Sequence, residues 1–140
     1  MLFVANKKGD GVDNEAEQRC LGWLLLAPNT DTYIHVPAKR NVPDGSDIEK
    51  YPHKQIFKEI TKKNTVKLRN KIINLFFGNG KGHSGILPAP GYSGKILCLY
   101  DAPEDIQWIQ EKYPNADICL VPWMDAEVQQ WLASYNPTIL

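Results

Sequence analysis

The chain lacks net charge: across 140 residues, 16 Lys and Arg balance 16 Asp and Glu. Without a surplus of either sign, no long-range field draws the whole molecule to nucleic acid or to an anionic membrane. Cysteine is scarce. Cys20, Cys98 and Cys119 form no CxxC and have no histidine nearby, which argues against a zinc site, a thioredoxin-type pair and a secreted disulfide framework. They read as small core residues, with Cys98 and Cys119 a reduced buried pair if their strands are neighbours. No apolar run approaches the length of a membrane span, and MLFVANKKG is too short in apolar residues for a signal peptide, so a cytoplasmic chain with no membrane partner is expected. Internal repeats and low-complexity tracts are missing. So are catalytic signatures: there is no GxSxG elbow, no triad-like grouping, and no acidic pair closing the first strand as a phosphoacceptor pocket requires. The sequence therefore names no catalytic residue, no cofactor and no metal ligand.

What is present is a punctuated α/β pattern, clearest over residues 95–136. The runs 96–100 and 118–121 are short and almost continuously apolar, as strands covered on both faces are. Between them Ala102, Ile106, Ile109 and Tyr113 make one helical stripe, with Gln110 on the opposite side, Asp101 and Glu104 spaced as a capping box, Pro103 in the first turn and Pro114 as the stop. Val128, Trp131, Leu132 and Tyr135 mark a last helix that Asp125 can cap and Pro137 ends.

Earlier in the chain, residues 2–5 read as a strand and Asn14 with Glu17 as a cap. Ala16, Cys20, Trp23, Leu24 and Ala27 form a core face widened by Leu21, Leu25 and Leu26, and residues 32–36 form the second strand. A broken helical stretch follows, with Ser46 and Glu49 at a turn, Pro52 as an interruption and Ile56, Phe57 and Ile60 as a stripe. Residues 65–77 read as a hairpin turning near Asn70 and Lys71, because β-branched and aromatic residues dominate, with a helix as the alternative. Ile86 and Leu87 suggest an edge strand in the Gly- and Pro-rich stretch that follows. The expected fold is a single α/β domain over 1–140: three layers of Rossmann or flavodoxin-like type, about five mostly parallel strands, and a hairpin or irregular middle insert.

In such a sheet, ligands bind beyond the carboxyl ends of the strands, where strand order reverses. The loops expected there hold Asn6, Lys7, Lys8, Gly9, Asp10 and Gly11, then Lys39, Arg40 and Asn41, then Trp123. Two of them are basic and amide-rich, so the leading expectation is a phosphorylated or nucleotide-like small molecule, with Lys7, Lys8, Lys39 and Arg40 converging on it. Gly9 and Gly11 do not complete a dinucleotide fingerprint, since its third position falls on Asn14. The glycine-rich GNGKGHSG lacks the GK[ST] ending of a P-loop, leaving Lys81, His83 and Ser84 as loop candidates, His83 for acid–base or phosphate contact. His35 reads as a satisfied strand residue and His53 as a surface one.

The rival expectation is a protein-interaction module, self-associating through the first helix and the four tryptophans. Charge favours it to some extent, because residues 38–81 hold eleven basic and four acidic side chains whereas 101–140 hold seven acidic residues and one lysine. Nucleic-acid contact through residues 54–71 is the weaker alternative, for want of interleaved aromatics.

Overall fold

Apolar runs alternating with capped amphipathic stretches give this chain a mixed α/β fold around one sheet. The computed structural model describes residues 1–7, 9–28, 30–43, 54–80 and 82–140, without the side chains of Asp125, Glu127 and Val128. Lys8, Lys81, His53, Pro52 and the Ser46–Glu49 turn lie outside the described residues, as does the side-chain role expected of Asp125 and Val128.

The first half holds β1 (Leu2–Val4), α1 (Asn14–Leu25), β2 (Asp31–Val36), a 3-10 turn (Lys39–Asn41) and α2 (Lys54–Lys63). The rest follows as β3 (Thr65–Lys67), β4 (Ile72–Asn79), β5 (Gly82–Gly85), β6 (Lys95–Leu99), α3 (Pro103–Lys112), β7 (Asp117–Val121), α4 (Asp125–Tyr135) and β8 (Thr138–Ile139).

The sheet has eight strands rather than about five. Its order is β3-β4-β2-β6-β7-β1-β8, with β5 also on β4. Strands β4, β2, β6, β7, β1 and β8 run parallel, and β6 lies beside β7 as the βαβ pattern predicts. The 65–77 segment is a hairpin: Thr65 pairs antiparallel with Asn74 and Lys67 with Ile72. It is no separate insert, because β4 also pairs in parallel with β2 along six residues, Asp31↔Ile72 through Val36↔Phe77. The outer side of β4 is shared by β3 over its first half and β5 over its second. The extra strands, β5 and β8, have four and two residues, and Ile86 and Leu87 lie just beyond β5 rather than in a strand.

In Rossmann and flavodoxin orders the first strand lies beside the second, whereas here β7 and β6 separate β1 from β2. The α/β class stands; neither of those strand orders does. Residues from α1 and α2, among them Cys20, Leu24, Phe57 and Ile60, pack with Ile34, Leu75, Leu97 and Cys119 in one cluster. Ile106, Ile109 and Trp131 of α3 and α4 pack with Tyr33, Ile96, Cys98 and Leu120 in another. Side chains alternate across a strand, so Cys98 and Cys119 belong to different clusters and do not pair. Cys119 instead meets Cys20, with sulfurs 3.7 Å apart and all three thiols reduced.

Helix ends depart locally from the sequence reading. The N-cap of α1 is Asp13, one residue early: its carboxylate accepts from Ala16 N–H at 3.0 Å, while Asn14 lies inside the helix and donates to Glu17 at 2.6 Å. The α3 N-cap position is Ala102, with no side-chain cap, which frees Asp101 for another partner. Among the described residues no helix is long and apolar enough to cross a membrane.

Candidate functional site

Chains leaving the carboxyl ends of β1 and β2 enter α1 and α2, in the first cluster, while those leaving β6 and β7 enter α3 and α4, in the second. Neighbouring strands whose connections leave to opposite faces open a crevice at the sheet edge. The order creates two such places, between β7 and β1 and between β2 and β6.

The β7–β1 crevice holds the first expected loop. Lys7 is spent on carbonyls, donating to Gly9 at 2.6 Å and to Trp123 at 3.5 Å, and Gly11 N–H donates to the Trp123 carbonyl at 2.7 Å. Gly9 and Gly11 take φ of +72° and +89°, a turn conformation that side chains resist. Beneath them Tyr100 donates from its hydroxyl to Glu17 and accepts from Asp13 N–H at 3.1 Å, with Trp123 edge-on to its ring. Burial, first, and the Glu17 hydrogen bond push the Tyr100 hydroxyl far above its ordinary range, so it stays a donor. The start of α1 already carries Asp13, Glu15 and Glu17, which makes it a poor seat for a further anion.

The β2–β6 crevice holds what the sequence did not disclose. His35 Nδ1 and Asp101 Oδ2 lie 2.7 Å apart, both side chains fully buried. Tyr100, at φ +63°, turns the chain as it leaves β6, so Tyr100 packs in the first cluster while the next residue reaches His35. Burial is the dominant cause that pushes the Asp101 carboxyl up to about 6, against the pull of His35. Burial likewise raises Asp105, the acid one helical turn on.

His83 covers this pair. Its ring centroid is 5.2 Å from that of His35 and 3.9 Å from that of Trp108, stacked nearly parallel to the indole at 12°. Burial, then His35 and Lys112, hold His83 below its ordinary range. Three buried polar atoms in this cluster have no hydrogen-bond partner: His35 Nε2, His83 Nε2 and Asp101 Oδ1. The tight β4–β5 hairpin fixes His83: Gly85 has φ +89°, and a Cβ there would come within 2.4 Å of the Leu75 carbonyl. Ser84, its neighbour on β5, is exposed.

A third feature lies past the end of β2. Lys39 and Arg40 of the 3-10 turn face Lys54, Lys58 and Lys62 of α2 across a groove of about 460 Å³. Val42, Pro43 and Phe57 contribute its apolar lining, and no carboxylate is among the described lining residues. Helical spacing of four explains why the three lysines share one side of α2. Lys39 also sits 5.9 Å from the centre of the Phe77 ring.

The expected site residues thus fall in three groups. Lys39 and Arg40 line the groove beside Asn41; Asn6, Lys7, Gly9, Asp10, Gly11 and Trp123 gather at the other crevice; His83 joins His35 and Asp101. Lys7 does not converge with Lys39 and Arg40, because two strands stand between β1 and β2, a separation of roughly 14 Å at normal strand spacing. Among the described residues no group of three or more His, Cys, Asp or Glu side chains could hold a metal ion. Comparison with known proteins finds no matching family model, no matching curated protein and no matching solved structure.

Proposed function

We propose that the chain binds a phosphorylated, nucleotide-sized ligand at the carboxyl edge of its sheet, its anionic group held by Lys39 and Arg40 together with Lys54, Lys58 and Lys62. The observation that carries this reading is the groove itself: five cations, an apolar floor and no described carboxylate. A volume of about 460 Å³ falls within the ordinary range for small-molecule sites. Unneutralised cations at such spacing repel one another, and an anion between them relieves that repulsion while gaining charge-assisted hydrogen bonds. What carries over from Rossmann and flavodoxin domains is the rule that ligands sit at the carboxyl edge, rather than their strand order.

A thermal-shift panel of nucleotides and sugar phosphates should give at least one stabilising ligand. Replacing Arg40 by alanine should then weaken its binding by at least about tenfold, since a charged hydrogen bond contributes about 1.5 to 3 kcal/mol. Lys67→Ala, on β3 and outside the groove, should leave affinity within about twofold. No stabilisation across the panel, or equal loss in both variants, would defeat the proposal.

Self-association is the second reading, favoured by the exposure of Val12, Trp123 and Met124 around the β7–β1 crevice and of Leu26 at the C-cap of α1. Light scattering should report a dimer that Trp123→Ser dissociates, and a monomer at high protein concentration would eliminate it. Nucleic acid stays the weaker alternative: Phe57, the aromatic among residues 54–71, is fully buried and cannot stack on a base.

A further inference from the structure

We propose that His83 is an acid–base residue for a small substrate bearing an ionisable O–H or N–H group in the β2–β6 crevice, and that His35, fixed by Asp101, is the positioning residue that relays its proton. The inference is independent of the cationic groove. It begins with the orphaned Nε2 atoms of His35 and His83. Native proteins rarely leave buried polar atoms unpaired, and two imidazole nitrogens in one cluster call for an explanation, whereas the Asp101 carboxyl also has the Cys98 thiol as a partner.

With Asp101 as carboxylate, its bond to His35 places the hydrogen on Nδ1 and leaves a lone pair on His35 Nε2. The neighbouring imidazole is His83, whose own Nε2 is a buried orphan. The two nitrogens make no direct hydrogen bond, and at a centroid separation of 5.2 Å one water accepting from His83 Nε2–H and donating to His35 Nε2 would satisfy both. That arrangement puts the His83 hydrogen on Nε2 and its lone pair on Nδ1. No described hydrogen bond engages Nδ1, and it is not among the buried unpartnered atoms.

The remaining groups support this arrangement. Trp108 of α3 holds the His83 plane by stacking, with Lys112 over the indole at 5.4 Å. Phe76 of β4 walls the two imidazoles, 4.6 Å from His35 and 6.4 Å from His83. Cys98 of β6 and Asp105 of α3 are the other titratable groups at the pair, and burial keeps the Cys98 thiol well above its ordinary range and so protonated. Burial first, then the second imidazole and Lys112, disfavour a charge on His83, so at neutral pH the ring is uncharged and able to accept a proton.

In the step itself, the substrate's X–H bond breaks and X keeps the electron pair. The proton bonds to His83 Nδ1, and the Nε2 proton of His83 passes to His35 Nε2. The positive charge then rests on His35 beside the Asp101 carboxylate rather than on His83 beside Lys112. A single histidine at this position would have to hold that charge against Lys112. The relay moves it to an opposite charge, as an oriented carboxylate does behind any catalytic imidazole.

The probe is diethyl pyrocarbonate, whose carbonyl carbon bonds to imidazole nitrogen as an ethyl carbonate group leaves. In the whole protein at neutral pH, peptide mass spectrometry should show His83 acylated about tenfold or more faster than free N-acetylhistidine, because the relay removes the second ring proton. Asp101→Asn removes the negative charge that stabilises the imidazolium of His35 and should bring that rate down to the free value. In parallel, ring nitrogen NMR of the wild-type protein should show His83 protonated on Nε2 and His35 on Nδ1. This second measurement decides the matter even if the variant folds poorly. An unaccelerated His83, a rate unchanged by Asp101→Asn in a folded variant, or His83 protonated on Nδ1 would each overturn the proposal.

Discussion

Ile109→Ala should lower the free energy of unfolding by about 2 to 5 kcal/mol. Ile109 is fully buried on the side of α3 that faces the sheet, in one cluster with Ile106, Tyr113, Ile96, Cys98 and Ile118. Removing three carbons there costs their transfer free energy and leaves a cavity that a helix pinned between two strand ends relaxes only in part. Tyr113 tightens that pinning, since its hydroxyl donates to the Pro88 carbonyl at 3.0 Å. Glu111→Ala, on the exposed side, should stay within about 0.5 kcal/mol. Urea titrations of the two variants make the comparison, and equal small effects would show that the buried face is elsewhere.

The second large effect is in pH. Asp101 has a folded pKa of about 6 against an ordinary 3.8, mainly because burial penalises its charge. A raised folded pKa means that the native state binds the proton more tightly than the unfolded chain. The stability contributed by this group is therefore complete below about pH 4 and is lost as pH rises through about 6. Over that window the shift corresponds to about 3 kcal/mol. Asp105 acts in the same direction. Denaturant midpoints measured between about pH 7 and 4 should carry this rising component in the wild type, and Asp101→Asn should lack it. Identical pH profiles for the two proteins would contradict the assignment.

The sequence reveals elements whose cause is local. The strands and helix over 96–121 announce themselves through unbroken apolar runs and a clear stripe, and the 65–77 hairpin through its β-branched residues. Gln110 shows the limit of stripe reasoning: it falls on the far side of the helical wheel, yet it is half-buried with its Oε1 enclosed. Strands of two and four residues such as β8 and β5 are too short to show a period. Strand order is silent too, since a helix of given length can carry the chain over one neighbour or several.

The His35–Asp101 pair was hidden for a different reason. Asp101 follows a strand and precedes a helix, where a cap explains it locally, and its actual partner is 66 residues away. The signal in the sequence was a histidine inside an apolar strand, a group that burial allows only with a partner. Lys39 and Arg40 stand out in the sequence as a loop pair, but nothing in the sequence places the α2 lysines opposite them. It took the packing of α2 beside the 3-10 turn to make one groove of them.

The position of β1 has a consequence for how the protein is made. Leu2, Phe3 and Val4 pair only with β7 and β8, and the amino group of Met1 bonds to Asp117, 116 positions away. During synthesis β1 has neither of these partners until β7 and β8 have been made. The β4, β2 and β6 side can assemble first, and β1 must wait for its place between two late arrivals. Such distant closure is slow because loop entropy is lost before contacts compensate for it. In the interval the part of α1 that meets β7, Cys20 against Cys119, stays uncovered and open to a chaperone.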